Sequence, residues 1–503
     1  MHAASPAYDQ GQKLSSQGRH LEAISCFEKA LAERPDDTRT LFALGNTARA
    51  LGLPQPAAEF FRKVLALEPE RLEALVNLAN LLRSEGQFDA ARALLEPALA
   101  RNPQSPELLL TLGSAWRESG DTARATEFYR AALAASPNYA AALSNLADLL
   151  SSDGKFEEAR ELYDRAIKAD PRNAQARLNR AVLHLQTGNL KEGWRDYAAR
   201  SDITSKVPAA KLNLTAWRGE TLKRTRLLVR AEQGVGDQIM FMSVMPDLLA
   251  RAAKEGGTIV LESEPRLVSL LARSFPGATV KPQALAAVNG ATTADYSWLK
   301  SAGGANAVTL MGSLPRWLRP GLDSFPDPNA FLTPDAAERA RWKNIFADLG
   351  AMPLAGLCWR SGKSGGHRSV QYAPLESWGA FLRNLPGALV SCQYDATPEE
   401  ITALEKLSGR QIFVPPMLDQ KNELDRTAAM LSVLDVLISA PTAVSWLGAG
   451  TGTRTLKLLY DTSWTAFGQA HEPLAPSCRC IMPRMHGDWR DVFEKATRVI
   501  ASP

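Results

Sequence analysis

Five prolines, Pro35, Pro69, Pro103, Pro137 and Pro171, stand 34 residues apart, and so strict an interval admits few folds. Seventeen positions before each lies a glycine: Gly18, Gly52, Gly86, Gly120 and Gly154. The series continues at Gly188, so a sixth unit follows without a proline of its own. Twelve positions before each proline is an alanine (Ala23, Ala57, Ala91, Ala125, Ala159), and eight before is a large apolar residue (Phe27, Phe61, Leu95, Tyr129, Tyr163). Small residues let two helices approach and the bulky one fills the space between them. Glycine then ends one helix and proline stops the other. A unit of this size cannot bury its apolar face alone, so neighbours must stack.

Several independent columns keep one phase over roughly residues 6–205, and in this the segment resembles the tetratricopeptide repeat. The resemblance implies an all-α solenoid of about six antiparallel helix pairs over residues 1–205, whose concave groove takes an extended peptide or a partner protein. A groove of repeated surface positions offers no unique acid, base and anion site, so chemistry is expected elsewhere. Asn77, Asn145 and Asn179 share one place on the first helix of their units, with Asn46 and Asn80 one helical turn further. This arrangement is similar to the asparagine ladder of O-linked N-acetylglucosamine transferase, which implies an acceptor-peptide groove at these five residues. The alternative is that they are solvated or inter-repeat polar groups.

At 503 residues the chain is too long for one core. Its 58 basic and 54 acidic residues are too balanced for a nucleic-acid or membrane-surface footprint. The opening M-H-A-A-S-P-A-Y-D lacks the basic and apolar regions of a signal peptide, and no apolar run suffices to span a bilayer, so a cytoplasmic protein is expected. Five scattered cysteines argue against a disulfide framework. Cys478-x-Cys480 has no second pair at zinc spacing, six histidines are well separated, and no D-x-D occurs, so neither metal nor resident cofactor is expected.

Periodicity stops after Leu190–Tyr197, and polar residues 206–225 read as a linker. From Arg226, strand-like runs (Arg226–Arg230, Thr258–Leu261, Leu354–Trp359, Leu389–Gln393, Gln411–Val414, Val436–Ser439, Thr455–Leu459) alternate with helical stretches near Arg266–Arg273, Pro334–Leu349, Leu375–Leu385, Pro398–Leu407, Leu424–Leu434 and Thr442–Ala449. Such alternation predicts α/β structure with parallel sheets covered on both faces. The breaker-rich stretch Gly321–Pro328 and the helix after it divide this region into two Rossmann-like lobes, 226–345 and 346–503, facing a cleft.

The first lobe opens with Ala231-Glu-Gln-Gly-Val-Gly-Asp237-Gln, a strand running into the glycine turn Gly234-x-Gly236 and then a helix. With Trp217-x-Gly219-Glu220-x-Leu222 before it and Pro246 and Leu249 after, this resembles bacterial tetratricopeptide proteins carrying a heptosyltransferase-like module of GT-B architecture. The resemblance implies that Asp237 falls on the aspartate taken as the base for the acceptor hydroxyl. An aspartate suits that role where a dry cleft raises its pKa. Glu232 is the second candidate carboxylate, and the alternative for Asp237 is a plain helix cap.

The second lobe opens with a strand followed by Arg360-Ser361-Gly-Lys363-Ser-Gly-Gly-His-Arg368. Glycine and serine let main-chain amides crowd an anion, and Arg360, Lys363 and Arg368 can neutralise a leaving diphosphate without a metal. The alternative is a solvated basic loop. The order of a Walker A loop is absent, as is a G-x-S-x-G elbow. A third element, Ser439–Gly448, ends a strand at a helix start, where Thr442 and the amides of Ala443 and Val444 can receive the donor phosphates. The related transferases read Asp-Thr-Ala-x-x-His here, and this chain has Pro441 and Trp446 at the acid and histidine positions. Lys421–Asp425 could serve a ribose or sugar, or only cap a helix.

These readings converge on a metal-independent glycosyltransferase moving a sugar from a nucleotide sugar to a protein hydroxyl. Resemblance to proteins of polar-flagellum loci implies flagellin as that acceptor. Pro441 and Trp446 favour a different reading, a scaffold with an inactive transferase-like domain. A saccharide or lipid-linked acceptor is the third.

Overall fold

The computed structural model describes residues 5–203, 212–288, 291–326, 330–362 and 371–501. The chain forms two compact units, 1–176 and 177–503.

In the first unit five helix pairs follow one another: Pro6–Ser16 with His20–Glu33, Thr38–Ala50 with Pro54–Leu67, Leu72–Ser84 with Phe88–Arg101, Pro106–Glu118 with Thr122–Ala135, and Ala140–Ser152 with Phe156–Ala169. The glycine between the helices of each pair is left-handed, with φ from +72° to +96°, which ends the first helix and turns the chain into the second. Ala23, Ala57, Ala91, Ala125 and Ala159 are fully buried. A further small-residue column lies on the first helices: a Cβ at Gly11, Gly45 or Gly113 would stand 2.5–2.7 Å from the ring of Phe27, Phe61 or Tyr129. Each bulky ring therefore rests on a glycine backbone of its partner helix, which sets the close approach within a pair.

The second unit contains two parallel sheets. The first has the order β1 (Thr215–Ala216), β7 (Ala307–Leu310), β2 (Arg226–Arg230), β3 (Thr258–Ser263) and β4 (Ala278–Pro282). A separate antiparallel pair is formed by β5 (Ala284–Val288) and β6 (Ala291–Asp295). The second sheet has the order β10 (Ile412–Phe413), β9 (Ala388–Ser391), β8 (Leu354–Cys358), β11 (Val436–Ser439), β12 (Thr455–Leu458), β14 (Ala475–Ile481) and β13 (His471–Glu472), with only β13 antiparallel. One buried cluster joins residues of both sheets, including Leu227, Val229, Leu261, Leu437 and Leu447. The second unit is therefore α/β with both lobes sharing a core.

Two boundaries differ from the sequence expectation. Residues 206–225 are not simply a linker, because Thr215–Ala216 pairs with β7 and Trp217 and Leu222 are buried. A two-residue edge strand with both side chains exposed carries no apolar pattern to reveal it. The sixth helix pair, Ala174–Gln186 and Leu190–Tyr197, starts at the end of the first unit, yet from residue 177 onward it belongs to the second. Leu185, Leu190, Trp194 and Tyr197 share the buried cluster of Ile239 and Phe241. Among the described residues no helix is long and apolar enough to cross a membrane.

Candidate functional site

β2 delivers the chain to the carboxyl edge of the first sheet at Arg230, and the turn that follows is fixed by its neighbours. The Ala231 amide donates to Glu262 Oε2 at 3.0 Å. Gln233, not a glycine, takes the left-handed conformation, with φ 61°. Gly234 is extended and precedes the helix Val235–Met242. Asp237 Oδ2 accepts from the Gly234 amide at 3.1 Å, so the aspartate does cap this helix. It is half-buried, and burial raises its pKa; the Gly234 amide pulls the other way and the charge of Glu232 adds to the rise.

The turn is also held by the helices that continue the repeats. Arg200 donates to Glu232 through Nη2 at 2.6 Å and Nε at 3.0 Å, and to Ser313 Oγ and the Tyr197 carbonyl at 3.0 Å each. Glu232 Oε1 accepts from the Gly312 amide at 2.8 Å. The Gln233 carboxamide donates to Tyr197 Oη at 3.2 Å. Glu232, the second candidate carboxylate, is thus committed to an arginine and an amide, whereas Asp237 is held by the Gly234 amide.

In the second lobe the helix Ala443–Gly450 starts at the end of β11. Thr442 caps it, its hydroxyl accepting from the Val444 amide at 3.3 Å and lying 3.6 Å from Cys358 Sγ. Burial pushes the Cys358 thiol up to about 11, so it is not a thiolate nucleophile. Gln393 Oε1 accepts from the Trp359 and Arg360 amides at 3.1 and 3.0 Å and so orders the chain leaving β8. The two lobes meet here: a Cβ on Gly236 would lie 3.2 Å from Ala443 Cα. A side chain at Gly236 would press the Ala443 backbone back by a few tenths of an ångström, so glycine favours this close approach, and the Asp237 turn sits against the helix start of Thr442, Ala443 and Val444.

Arg360 does not present a free charge to this place. Its guanidinium is bidentate on Glu400, at 2.5 and 2.7 Å, and also reaches Asp395 Oδ1 at 2.9 Å. The bond to Glu400 raises the Arg360 pKa, fixing it as a cation with partners. Ser361 Oγ lies 3.4 Å from Tyr394 Oη. Lys363 and Arg368 lie outside the described residues. In Lys421–Asp425, the Lys421 carbonyl accepts from Arg266 at 2.8 Å and Asp425 pairs with Arg273, so this segment joins the lobes as well as opening a helix. Trp446 is 8 % exposed, with the Lys457 ammonium 3.8 Å from its ring centre. Lys457 in turn pairs with buried Glu472 at 2.6 Å. The position where the sequence pattern led to an expected histidine is thus filled by a core residue.

Spacing gave no sign of Glu262, Tyr296, Gln393, Tyr197 or Arg200. Glu262 is fully buried at the end of β3; its Oε2 also accepts from Tyr296 Oη at 3.1 Å, and its Oε1 has no hydrogen-bond partner. Burial raises its pKa against the pull of Tyr296 and Arg230. Among the described residues no group of three or more His, Cys, Asp or Glu could hold a metal ion.

In the first unit Asn77 Nδ2 donates to Asn46 Oδ1 at 3.1 Å, and Asn145 Nδ2 reaches Ser114 Oγ at 3.4 Å, each one repeat back. Asn80 Oδ1 accepts from Arg83, which also pairs with Glu118 of the next repeat. Asn77 and Asn145 link repeats directly and Asn80 only through Arg83, while Asn46, Asn77 and Asn145 stay partly accessible. Asn179 lies in the second unit, half-buried and with bonding partners.

The tetratricopeptide-repeat family matches residues 8–71, 76–140 and 144–205, and a second tetratricopeptide-repeat family matches 117–164. Protein FlbA of Caulobacter vibrioides is 31% identical over 310 residues, which is 61% of this chain and 52% of FlbA. The chain thus spans about half the length of that relative. A thermophilic tetratricopeptide-repeat protein of Thermus thermophilus is 28% identical over 36% of this chain and all of its own, with a TM-score of 0.33. Yeast Tom70 is 26% identical over 36% of this chain and 39% of its own, with a TM-score of 0.32. The N-terminal region of this chain is an all-helical solenoid of tetratricopeptide repeats.

Proposed function

We propose that the protein is a metal-independent glycosyltransferase of GT-B type, working in the cytoplasm, that moves a sugar from a nucleotide sugar to a hydroxyl of a protein acceptor. The observation that carries this reading is the contact of Gly236 with Ala443, which sets a carboxyl group of raised pKa beside a helix start. Asp237 takes the hydroxyl proton, and the Ala443 and Val444 amides with Thr442 receive the departing phosphate. The tetratricopeptide repeats supply the surface for a protein partner, and flagellin is the acceptor that the resemblance to flagellar-locus proteins suggests.

A scaffold role without chemistry is the second reading. It is favoured by Arg360 being already neutralised by Glu400 and Asp395, and by Trp446 being buried on Lys457. Calorimetric titration of the full chain with nucleoside diphosphates separates the two. The transferase reading expects binding of at least one of them, weakened by Gly236→Val. Binding of none would leave the scaffold.

A further inference from the structure

A cavity of about 290 Å³ opens where β1, β2 and β7 end, beside the helix Leu190–Tyr197. Trp194, Trp217 and Trp317 line it together with Arg218, Arg230 and Arg316. Trp317 rests on the backbone of Gly219, where a Cβ would come within 2.7 Å of the indole, and the Trp217 indole N–H donates to the Glu220 carbonyl at 2.9 Å. The aromatic walls are therefore fixed in place. Trp194 is 2 % exposed and is held edge-on by Tyr197 and Phe467, which makes it a rigid part of the lining.

The charges around this cavity are one-sided. Among the described residues none of the three arginines forms an ion pair: Arg230 bonds to Tyr296 Oη at 2.6 Å, and Arg316 lies 4.5 Å over the Trp317 ring. No carboxylate among the described residues lines the cavity, although Glu262 lies near Arg230 and Glu220 near Arg218, and three guanidinium groups in its lining favour an anion. Trp317, the half-buried indole of the three, can take a ring by stacking or by contact with the apolar face of a sugar. The volume lies just below the range of drug-sized pockets, which suits one ring with its substituent and excludes a whole nucleotide sugar.

We propose that this cavity binds a monocyclic anion: a single sugar or aromatic ring bearing a carboxylate or a phosphate. The site does not depend on the transferase reading. Calorimetry on the full chain would use glucuronate, glucose 6-phosphate, benzoate and phenyl phosphate as probes, with glucose, benzyl alcohol and inorganic phosphate as controls. At least one ring anion should bind about tenfold or more tightly than its neutral ring and than phosphate alone. Arg218→Gln and Arg316→Gln should each weaken that binding about tenfold, with unchanged circular dichroism, while Asp237→Asn leaves it intact. A preference for sugar acids assigns a carbohydrate and a preference for benzene acids an aromatic acid, and either supports the site. Failure of every ring anion to bind, equal binding of neutral rings or of phosphate, or indifference to both arginine variants would overturn it.

Discussion

Replacing Arg200 by methionine tests how the Asp237 turn is held. The guanidinium is 2 % exposed and the Glu232 carboxylate 12 %, so solvent screens the pair little. Methionine keeps much of the volume but removes both bonds to Glu232 and those to Ser313 and the Tyr197 carbonyl. Glu232 would keep only the Gly312 amide. Breaking a buried pair from one side costs about 3–5 kcal/mol, because a charge is left uncompensated. Arg200→Met with Glu232→Gln removes that charge and should recover about 1–3 kcal/mol of the loss. Because the chain has two units, global unfolding is not a clean two-state measure. Hydrogen exchange of the Ala231–Phe241 amides is the better assay. A loss of about 3 kcal/mol corresponds to roughly hundredfold faster exchange there, with partial return in the double variant. A single variant costing under about 1 kcal/mol, or a double variant no better than the single, would refute the argument.

The remaining predictions concern the joint between lobes, the unit boundary and pH. Gly236→Val should destabilise by about 1–3 kcal/mol, since its side chain must displace the Ala443 backbone, read as a fall in the melting midpoint. A fragment of residues 177–503 should fold and show native near-ultraviolet dichroism, whereas 206–503, lacking Trp194, Tyr197 and Arg200, should not. Glu262 has a raised pKa in the fold, so its contribution is full below the unfolded pKa and declines as pH rises through the folded one. Glu262→Gln should therefore gain stability relative to wild type as denaturation is repeated from pH 4 toward pH 8. A variant that loses stability relative to wild type as pH rises would contradict the assignment.

The solenoid was legible because its constraints repeat: a left-handed glycine and a bulky residue recur at fixed positions in every unit. Its end was not. Gly188 keeps the repeat phase into the sixth pair, while Trp194 and Tyr197 pack with the α/β core, and nothing in the spacing separates these roles. Central strands such as β2, β8 and β11 announced themselves as apolar runs. β4 and β14 contain proline, which masks a strand pattern, and β7 and β13 were not read as strands. At the site, the G-V-G-D motif pointed to Asp237, but the groups that orient its turn come from 31 to 80 residues away and follow no local period. The glycine pattern was visible and its reason was not: Gly236 favours the close approach to Ala443, and the left-handed residue is Gln233.

Mass spectrometry of a protein acceptor incubated with a panel of nucleotide sugars and either wild type or Asp237→Asn tests the central claim most directly. The account predicts a sugar-sized mass increase with wild type whose rate falls as pH drops below the raised Asp237 pKa, and a loss of about a hundredfold or more in the variant. Equal transfer by both proteins would contradict it.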